Sequence, residues 1–121
     1  MPQIIDEPYG QLVIHESYLV FTANQGIDFS EREAKNFIHH VRNNFDNRPY
    51  SYISNRTVGY SINPIATQQI VESTNIKSIA IVVTSTRSEL ALGAELPFYE
   101  DVPVKTFGSL EEAVEWSLKI N

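Results

Sequence analysis

The chain has 121 residues, 42% of them hydrophobic and 20% charged, which fits one soluble globular domain, residues 1–121. Its formal net charge is −6 and it has no basic stripe, so nucleic acid is not an expected partner. Cysteine is absent, which excludes disulfides, thiolate metal sites and cysteine nucleophiles and fits a reducing compartment.

The first third of the chain predicts two strands followed by a helix. The runs "QLVIH" and "YLVFTAN" are rich in β-branched and aromatic residues, which predicts a hairpin that turns near Glu16 and Ser17. Ser30 and Glu33 are spaced as a capping box at the start of a helix. One apolar stripe at helical spacing then predicts the buried face of this helix: Ala34, Phe37, Ile38, Val41 and Phe45.

The middle of the chain predicts a strand, a helix and a second strand. "YSYIS" is typical of a strand, and Asn63 followed by Pro64 predicts the start of a helix that runs to about Ser73. The residues from Ile79 to Val83 are all apolar and mostly β-branched, which predicts a central strand covered on both faces. This run is far too short to cross a bilayer, so no membrane span is expected.

The last third predicts helix, strand and helix. Thr86 and Glu89 form a second capping box, which begins a helix that we expect to end at Pro97. "VKTF" predicts a last strand, and Ser109 with Glu112 forms a third capping box. On the terminal helix we expect an apolar stripe to face the sheet and two acids to face solvent: Leu110, Ala113, Val114 and Leu118, against Glu111 and Glu115.

The predicted order is β-β-α-β-α-β-α-β-α. Strands that alternate with helices imply parallel pairing through right-handed crossovers. We therefore expect an α/β fold, with a mostly parallel sheet of about five strands and helices on both faces.

Four stretches carry a family resemblance: "YLVFTANQGIDFS", "YSYISNR", "SIAIVV" and "PVKTFGSLEEAVEWSL". They resemble the STAS/SEC14-like family of bacterial proteins, which is SpoIIAA-like and related to anti-sigma-factor antagonists. The resemblance covers nearly the whole chain, and its motifs are structural rather than catalytic. It implies a single STAS-like domain.

The resemblance also directs attention to the loop after the predicted third strand. In STAS domains this loop carries a phosphorylatable serine within an Asp-Ser-Ser-Gly run at a helix N-terminus. The loop here reads "NRTVGYSINP" and lacks that run, and Ser61 is the hydroxyl in a comparable place. The sequence therefore departs from the phosphorylation pattern of the family.

The carboxyl ends of the predicted strands form the expected ligand edge of the sheet. Helix N-termini at Ser30, Asn63 and Thr86 open near this edge, and their free amides favour an anion. The alternative is that the loops are simply polar and the arginines solvated. Other polar residues at this edge are Thr22, Asn24 and Asn55. The candidate ligand-binding residues are Arg56, Thr57, Ser61, Thr84, Thr86 and Arg87.

No cofactor, metal site or catalytic group is predicted. His39 and His40 are adjacent on a helix and point about 100° apart, which does not suit one metal ion. No HExxH spacing, nucleophile elbow or phosphate-binding loop occurs. Phe98 and Tyr99 lie between two prolines, and they either cover the end of the core or contact a protein or an apolar ligand.

These patterns predict a non-catalytic, cytoplasmic binding or regulatory module that contacts a protein partner. A homodimer is an alternative partner, because an open sheet has exposed edge strands. The other alternative is a small anionic or apolar ligand at the carboxyl edge of the sheet.

Overall fold

The computed structural model describes residues 2–56, 61–83, 96–99 and 101–120. The elements follow one another in this order: β1 (Gln3–Glu7), β2 (Gly10–Ile14), β3 (Tyr18–Ala23), β4 (Asp28–Phe29), α1 (Glu31–Phe45), β5 (Tyr50–Arg56), β6 (Ser61–Ile62), α2 (Pro64–Ser73), β7 (Ile76–Val83), a 3-10 helix (Leu96–Tyr99), β8 (Val104–Phe107) and α3 (Leu110–Lys119).

Six of these strands form one sheet in the order β1-β2-β3-β5-β7-β8. The first two pairings are antiparallel and the other three are parallel. The predicted α/β class and mostly parallel sheet are confirmed. Strand β1 was not predicted: it is a five-residue edge strand with two acids, and its pairing with β2 holds it in place.

Strand β7 is the interior strand that the apolar run predicted. Its side chains alternate between two separate cores, one on each face of the sheet. Ile79, Ile81 and Val83 pack on the face that carries α1 and α2, whereas Ala80 and Val82 pack on the face that carries α3. Burial on both faces explains why all five residues from Ile79 to Val83 are apolar.

The face under α1 and α2 holds the aromatic core. All five residues of the predicted α1 stripe are buried. The Phe37 ring packs edge-on against Phe21, 5.5 Å away, and against Phe29, 6.2 Å away. The Phe45 and Tyr50 rings stack 4.8 Å apart at the other end of the helix. These contacts fix the position of α1 over the sheet.

The prediction for the terminal helix was partly wrong. Ala113 is fully buried as expected, but Leu110 is 37% exposed and Leu118 is 58% exposed. The second buried residue of α3 is Ser117, which is 1% exposed. Small residues on the helix allow it to approach the sheet closely, so the leucines lie on its outer flank.

The side chains of the sheet beneath α3 are small and partly polar, as are the buried side chains of the helix. Ser78 donates a hydrogen bond to Ser51 Oγ over 2.8 Å, and the Ser51 hydroxyl lies 3.4 Å from the Ser117 carbonyl oxygen. Ser51 and Ser78 are fully buried. The hydroxyls of Ser51 and Ser78 are therefore hydrogen-bonded at this interface, as buried polar groups generally are.

The helix predicted from Thr86 falls within residues that the structure does not describe. Around Pro97 the chain forms the 3-10 helix, and β8 follows as predicted. Tyr99 is 3% exposed and belongs to the aromatic core, so it covers the end of the core. Within the described ranges, every helix is too short or too polar to cross a membrane.

The close α3 interface leads to a stability prediction. Ala113→Leu should lower the free energy of unfolding by about 1–3 kcal/mol, because the larger side chain overpacks a fully buried site. Leu118→Ala is the matched control, and it should change stability by less than about 0.5 kcal/mol because Leu118 is exposed. Urea denaturation of both variants checks this, and a larger loss for Leu118→Ala would contradict the observed orientation of α3.

Candidate functional site

The parallel strands β3, β5 and β7 end together at the carboxyl edge of the sheet. Their last residues are Ala23, Arg56 and Val83, and Arg56 pairs directly with Val83. Ligands of α/β sheets generally bind beyond this edge. The described loops here therefore form the candidate site.

A short second sheet lies just before α1 and α2, and the sequence did not predict it. Strands β4 and β6 pair in parallel, with Asp28 opposite Ser61 and Phe29 opposite Ile62. The Asn63 amide also donates to the Phe29 carbonyl over 2.9 Å. Each strand is two residues long, which is too short for a periodic sequence signal. The pairing sets the N-termini of α1 and α2 side by side.

At the N-terminus of α1, a carboxylate of the same helix already accepts hydrogen bonds from the capping residue. The Glu33 carboxylate accepts hydrogen bonds from the Ser30 amide at 2.9 Å and the Ser30 hydroxyl at 2.6 Å. These bonds hold the pKa of Glu33 below its usual value. Glu31 also lies in this first turn and accepts from Gln69 Nε2 over 3.2 Å. An external anion is therefore disfavoured at this helix end.

The N-terminus of α2 has the opposite character. Its first turn contains no acid, and Pro64 occupies the first helical position. The Asn63 side chain accepts from the Ile65 amide over 3.0 Å, which confirms the predicted cap. A third described helix, α3, also begins at this edge, on the other face, but it has Glu111 and Glu112 in its first turn. Of these helix N-termini, that of α2 is the one that would accept an anion.

Arg56 lies on the same face of the sheet as α2. Side chains alternate along β5, so Arg56 shares its face with Ser54 and Tyr52, and Tyr52 belongs to the core under α1. Arg56 Nε donates to the Ser54 hydroxyl over 3.0 Å, and the side chain is engaged in further contacts. The guanidinium group is thus held at the carboxyl edge, on the face of the α2 N-terminus.

Three other polar residues predicted at this edge have structural contacts elsewhere. Asn55 points to the opposite face, where its amide donates to Thr22 Oγ1 over 3.3 Å. Asn24 donates to the Pro8 carbonyl over 2.9 Å and so braces the turn between β1 and β2. These side chains diverge from Arg56 and do not join a site with it.

The remaining predicted ligand residues stay predictions. Ser61 is placed in β6 by its backbone. Thr57, Thr84, Thr86 and Arg87 lie outside the described residues. The predicted convergence of Arg56 with Arg87 is therefore a hypothesis for experiment.

The histidines have separate environments. His40 Nε2 lies 3.3 Å from a Glu7 carboxylate oxygen, whereas His39 Nε2 lies 3.1 Å from the Asn43 amide nitrogen. The His15 ring stacks on Tyr18 with centroids 4.2 Å apart, and partial burial lowers the pKa of His15. Among the described side chains, no three metal-ligating groups come together.

A polar cluster between β1 and α1 was not predicted from the sequence. The Tyr9 hydroxyl donates to Asn36 Oδ1 over 2.6 Å, next to the Glu7–His40 pair. Burial and the nearby Glu7 and Glu33 carboxylates raise the pKa of Tyr9, so the phenol remains a donor. The stretch "EPYG" between β1 and β2 was the sequence signal for this hairpin, because a Pro-Tyr turn before glycine is typical of a turn between two strands.

Comparisons with known proteins identify the fold. No protein-family model matches the chain, and no curated protein matches it in sequence. The crystal structure of an uncharacterized protein from the DUF3478 family, from Shewanella loihica PV-4, has a SpoIIAA-like fold and superposes on this chain with a TM-score of 0.59. The two chains are 13% identical, and the match covers 97% of this chain and 92% of the other. This similarity establishes the SpoIIAA-like fold.

The Ser30–Glu33 contact leads to a prediction on pH. The pKa of Glu33 is lower in the folded protein than its ordinary value of 4.5, so the contact stabilises the fold fully above that value. This stabilisation is lost as the pH falls through the lowered folded pKa. Thermal melts of the wild type and Glu33→Gln from about pH 6 to about pH 3 should show a smaller acid-induced loss in the variant. Parallel pH profiles would contradict the assignment.

Proposed function

Given the SpoIIAA-like fold, we propose that this protein is a non-catalytic binding or regulatory module that contacts a protein partner. The observation that carries the proposal is the arrangement of the described residues at the carboxyl edge. There β4 pairs with β6, and the acid-free N-terminus of α2 lies on the same face as Arg56. Helix amides and an arginine together favour an acidic or phosphorylated group on the partner.

The contacts of Ser51, Ser78 and His40 support a structural role rather than catalysis for these side chains. The hydroxyls of Ser51 and Ser78 are fully buried beneath α3 and bond to each other. His40 lies beside Glu7, and its backbone carbonyl accepts from Asn44. A nucleophile must reach a substrate and a base, and these groups have structural partners instead. The absence of cysteine supports a cytoplasmic location.

A small anionic ligand is the second candidate, and the absence of acid from the first turn of α2 favours it. Such a ligand would use the same amides and Arg56. Calorimetry with inorganic phosphate and with phosphoserine distinguishes the two candidates. A site for small anions should bind these compounds, whereas a site that requires a partner protein should not. The apolar ligand predicted for this edge is tested in the same way with a fluorescent fatty acid.

The binding test removes the cation at the edge. Arg56→Gln, alone and combined with Arg87→Gln, should weaken capture of the partner by about tenfold or more, because charge-assisted hydrogen bonds are lost. Affinity capture from the source organism, followed by mass spectrometry and titration of the retained protein, measures this. Lys119→Gln is the matched control, because it removes an exposed charge from α3 on the other face.

The outcomes of this test are distinct. A protein retained by the wild type and by Lys119→Gln but lost from the Arg56 variant supports the carboxyl edge as the interface. Equal retention by all three proteins excludes Arg56 from the interface. Thermal melts of the variants serve as the folding control, and we expect a change within about 1 kcal/mol from the lost Arg56–Ser54 bond.

A further inference from the structure

Strand β1 forms one edge of the main sheet, and its outward backbone groups follow from the hairpin with β2. Glu7 and Gly10 close a two-residue turn, so they face each other as a hydrogen-bonded pair. Hydrogen bonding alternates along an antiparallel pair, so Gln3 and Ile5 also bond to β2. The amides and carbonyls of Ile4 and Asp6 therefore point away from the sheet.

Proline residues remove the hydrogen-bond donors at both ends of this edge. Pro2 and Pro8 occupy the outward positions on either side of Ile4 and Asp6, and proline has no amide to donate. An incoming strand thus finds donors at Ile4 and Asp6. Within the described part of the chain, no strand pairs with this edge.

A second copy of β1 fits this edge in one antiparallel register. If Ile5 lies opposite Ile5 of the second copy, each Ile4 faces an Asp6, and all the outward donors and acceptors are paired. A register centred on Ile4 places Asp6 opposite Pro2, which has no donor. A register centred on Asp6 opposes two carboxylates, which is unfavourable. The Ile5-centred register also sets Gln3 opposite Glu7, so an amide meets a carboxylate.

Side chains on both faces support this register. Ile4 is 59% exposed and lies beside Val13, its partner on β2. In the Ile5-centred register the two Ile4 side chains become diagonal neighbours, within reach of each other on the α3 side of the sheet. Ile5, partly buried against the core, meets its own copy on the other side. Pairing therefore covers the exposed isoleucine.

The other edge of the sheet is built differently. Strand β8 follows Pro103 and presents the exposed Lys105, whose ammonium lies 5.5 Å from the Phe107 ring centroid. An exposed lysine protects an edge strand from pairing. Pairing of β1 with β8 of another copy would also repeat without closing and give filaments. The symmetric contact between two β1 strands closes as a dimer.

We propose that two copies of this protein associate through their β1 strands, antiparallel and centred on Ile5, into one continuous sheet of twice six strands. The partner of this edge is thus a second copy of the chain. The contact is independent of the carboxyl edge, so it does not rest on the proposed function. A single strand pair buries little area, so the dimer should be weak, with a dissociation constant on the order of micromolar.

Two substitutions that introduce opposite charges at position 4, Ile4→Glu and Ile4→Lys, test both the dimer and its register. Sedimentation velocity of the full chain from about 0.1 μM to about 1 mM covers concentrations below and above the expected dissociation constant. Ile4→Glu places a second acid opposite each Asp6 and should raise the dissociation constant by about tenfold or more. Ile4→Lys places a cation opposite each Asp6 and should retain the dimer, with a new sensitivity to salt.

The controls distinguish a specific contact from a change of net charge or folding. Ile65 is 49% exposed on α2, so Ile65→Glu and Ile65→Lys make the same charge changes away from β1 and should leave the dimer unchanged. Circular dichroism confirms that each variant is folded. A wild type that stays monomeric at about 1 mM, an Ile4→Glu variant that dimerises normally, or filaments in place of dimers would overturn the proposal. Dissociation by Ile4→Lys would overturn the Ile5-centred register.

Discussion

The burial of strand β7 on both faces is the constraint on which the rest of this structure depends. Its side chains alternate between two cores, and each core needs its own cover. Parallel crossovers that advance in one direction from β3 to β5 to β7 place α1 and α2 on the same face. The other face is therefore left for α3, which reaches it after β8.

The two faces are packed by different means. Large rings fill the space under α1 and α2, where Phe37 packs edge-on against Phe21 and Phe29, and these two rings are tilted against each other. Under α3 the space is thin, because Ala113 and Ser117 lie directly on Ala80 and the paired serines of the sheet. Close packing of small groups gives many dispersion contacts with little side-chain entropy lost. It also leaves the larger apolar residues of α3 on its flanks.

The two surfaces proposed for binding lie at different edges of the main sheet. At the carboxyl edge, the β4–β6 pair joins the segments that lead into α1 and α2. The β1 edge lies at the far side of the sheet, beyond the antiparallel hairpin. A partner at one surface leaves the other accessible, so dimer formation and partner binding are structurally compatible.

The sequence by itself determined the fold class, the α1 stripe, the helix starts at Ser30, Asn63 and Ser109, and the buried strand Ile79–Val83. These features depend on local periodicity and on capping residues a few positions apart, so they are encoded in short windows. It also placed Arg56 just past a strand, and in the structure Arg56 is the last residue of β5. The convergence of Arg56 with Arg87 remains a prediction.

Only the tertiary structure decided which side chains of α3 face the sheet, that β1 forms an edge, and that β4 pairs with β6. Hydrophobicity favoured Leu110 and Leu118 for burial, but the small residues Ala113 and Ser117 fit the narrow gap above Ser51 and Ser78. Strands β1, β4 and β6 are short, and their partners lie elsewhere in the chain. Strand pairing and close packing depend on two surfaces that meet, and a single stretch of sequence specifies only one of those two surfaces.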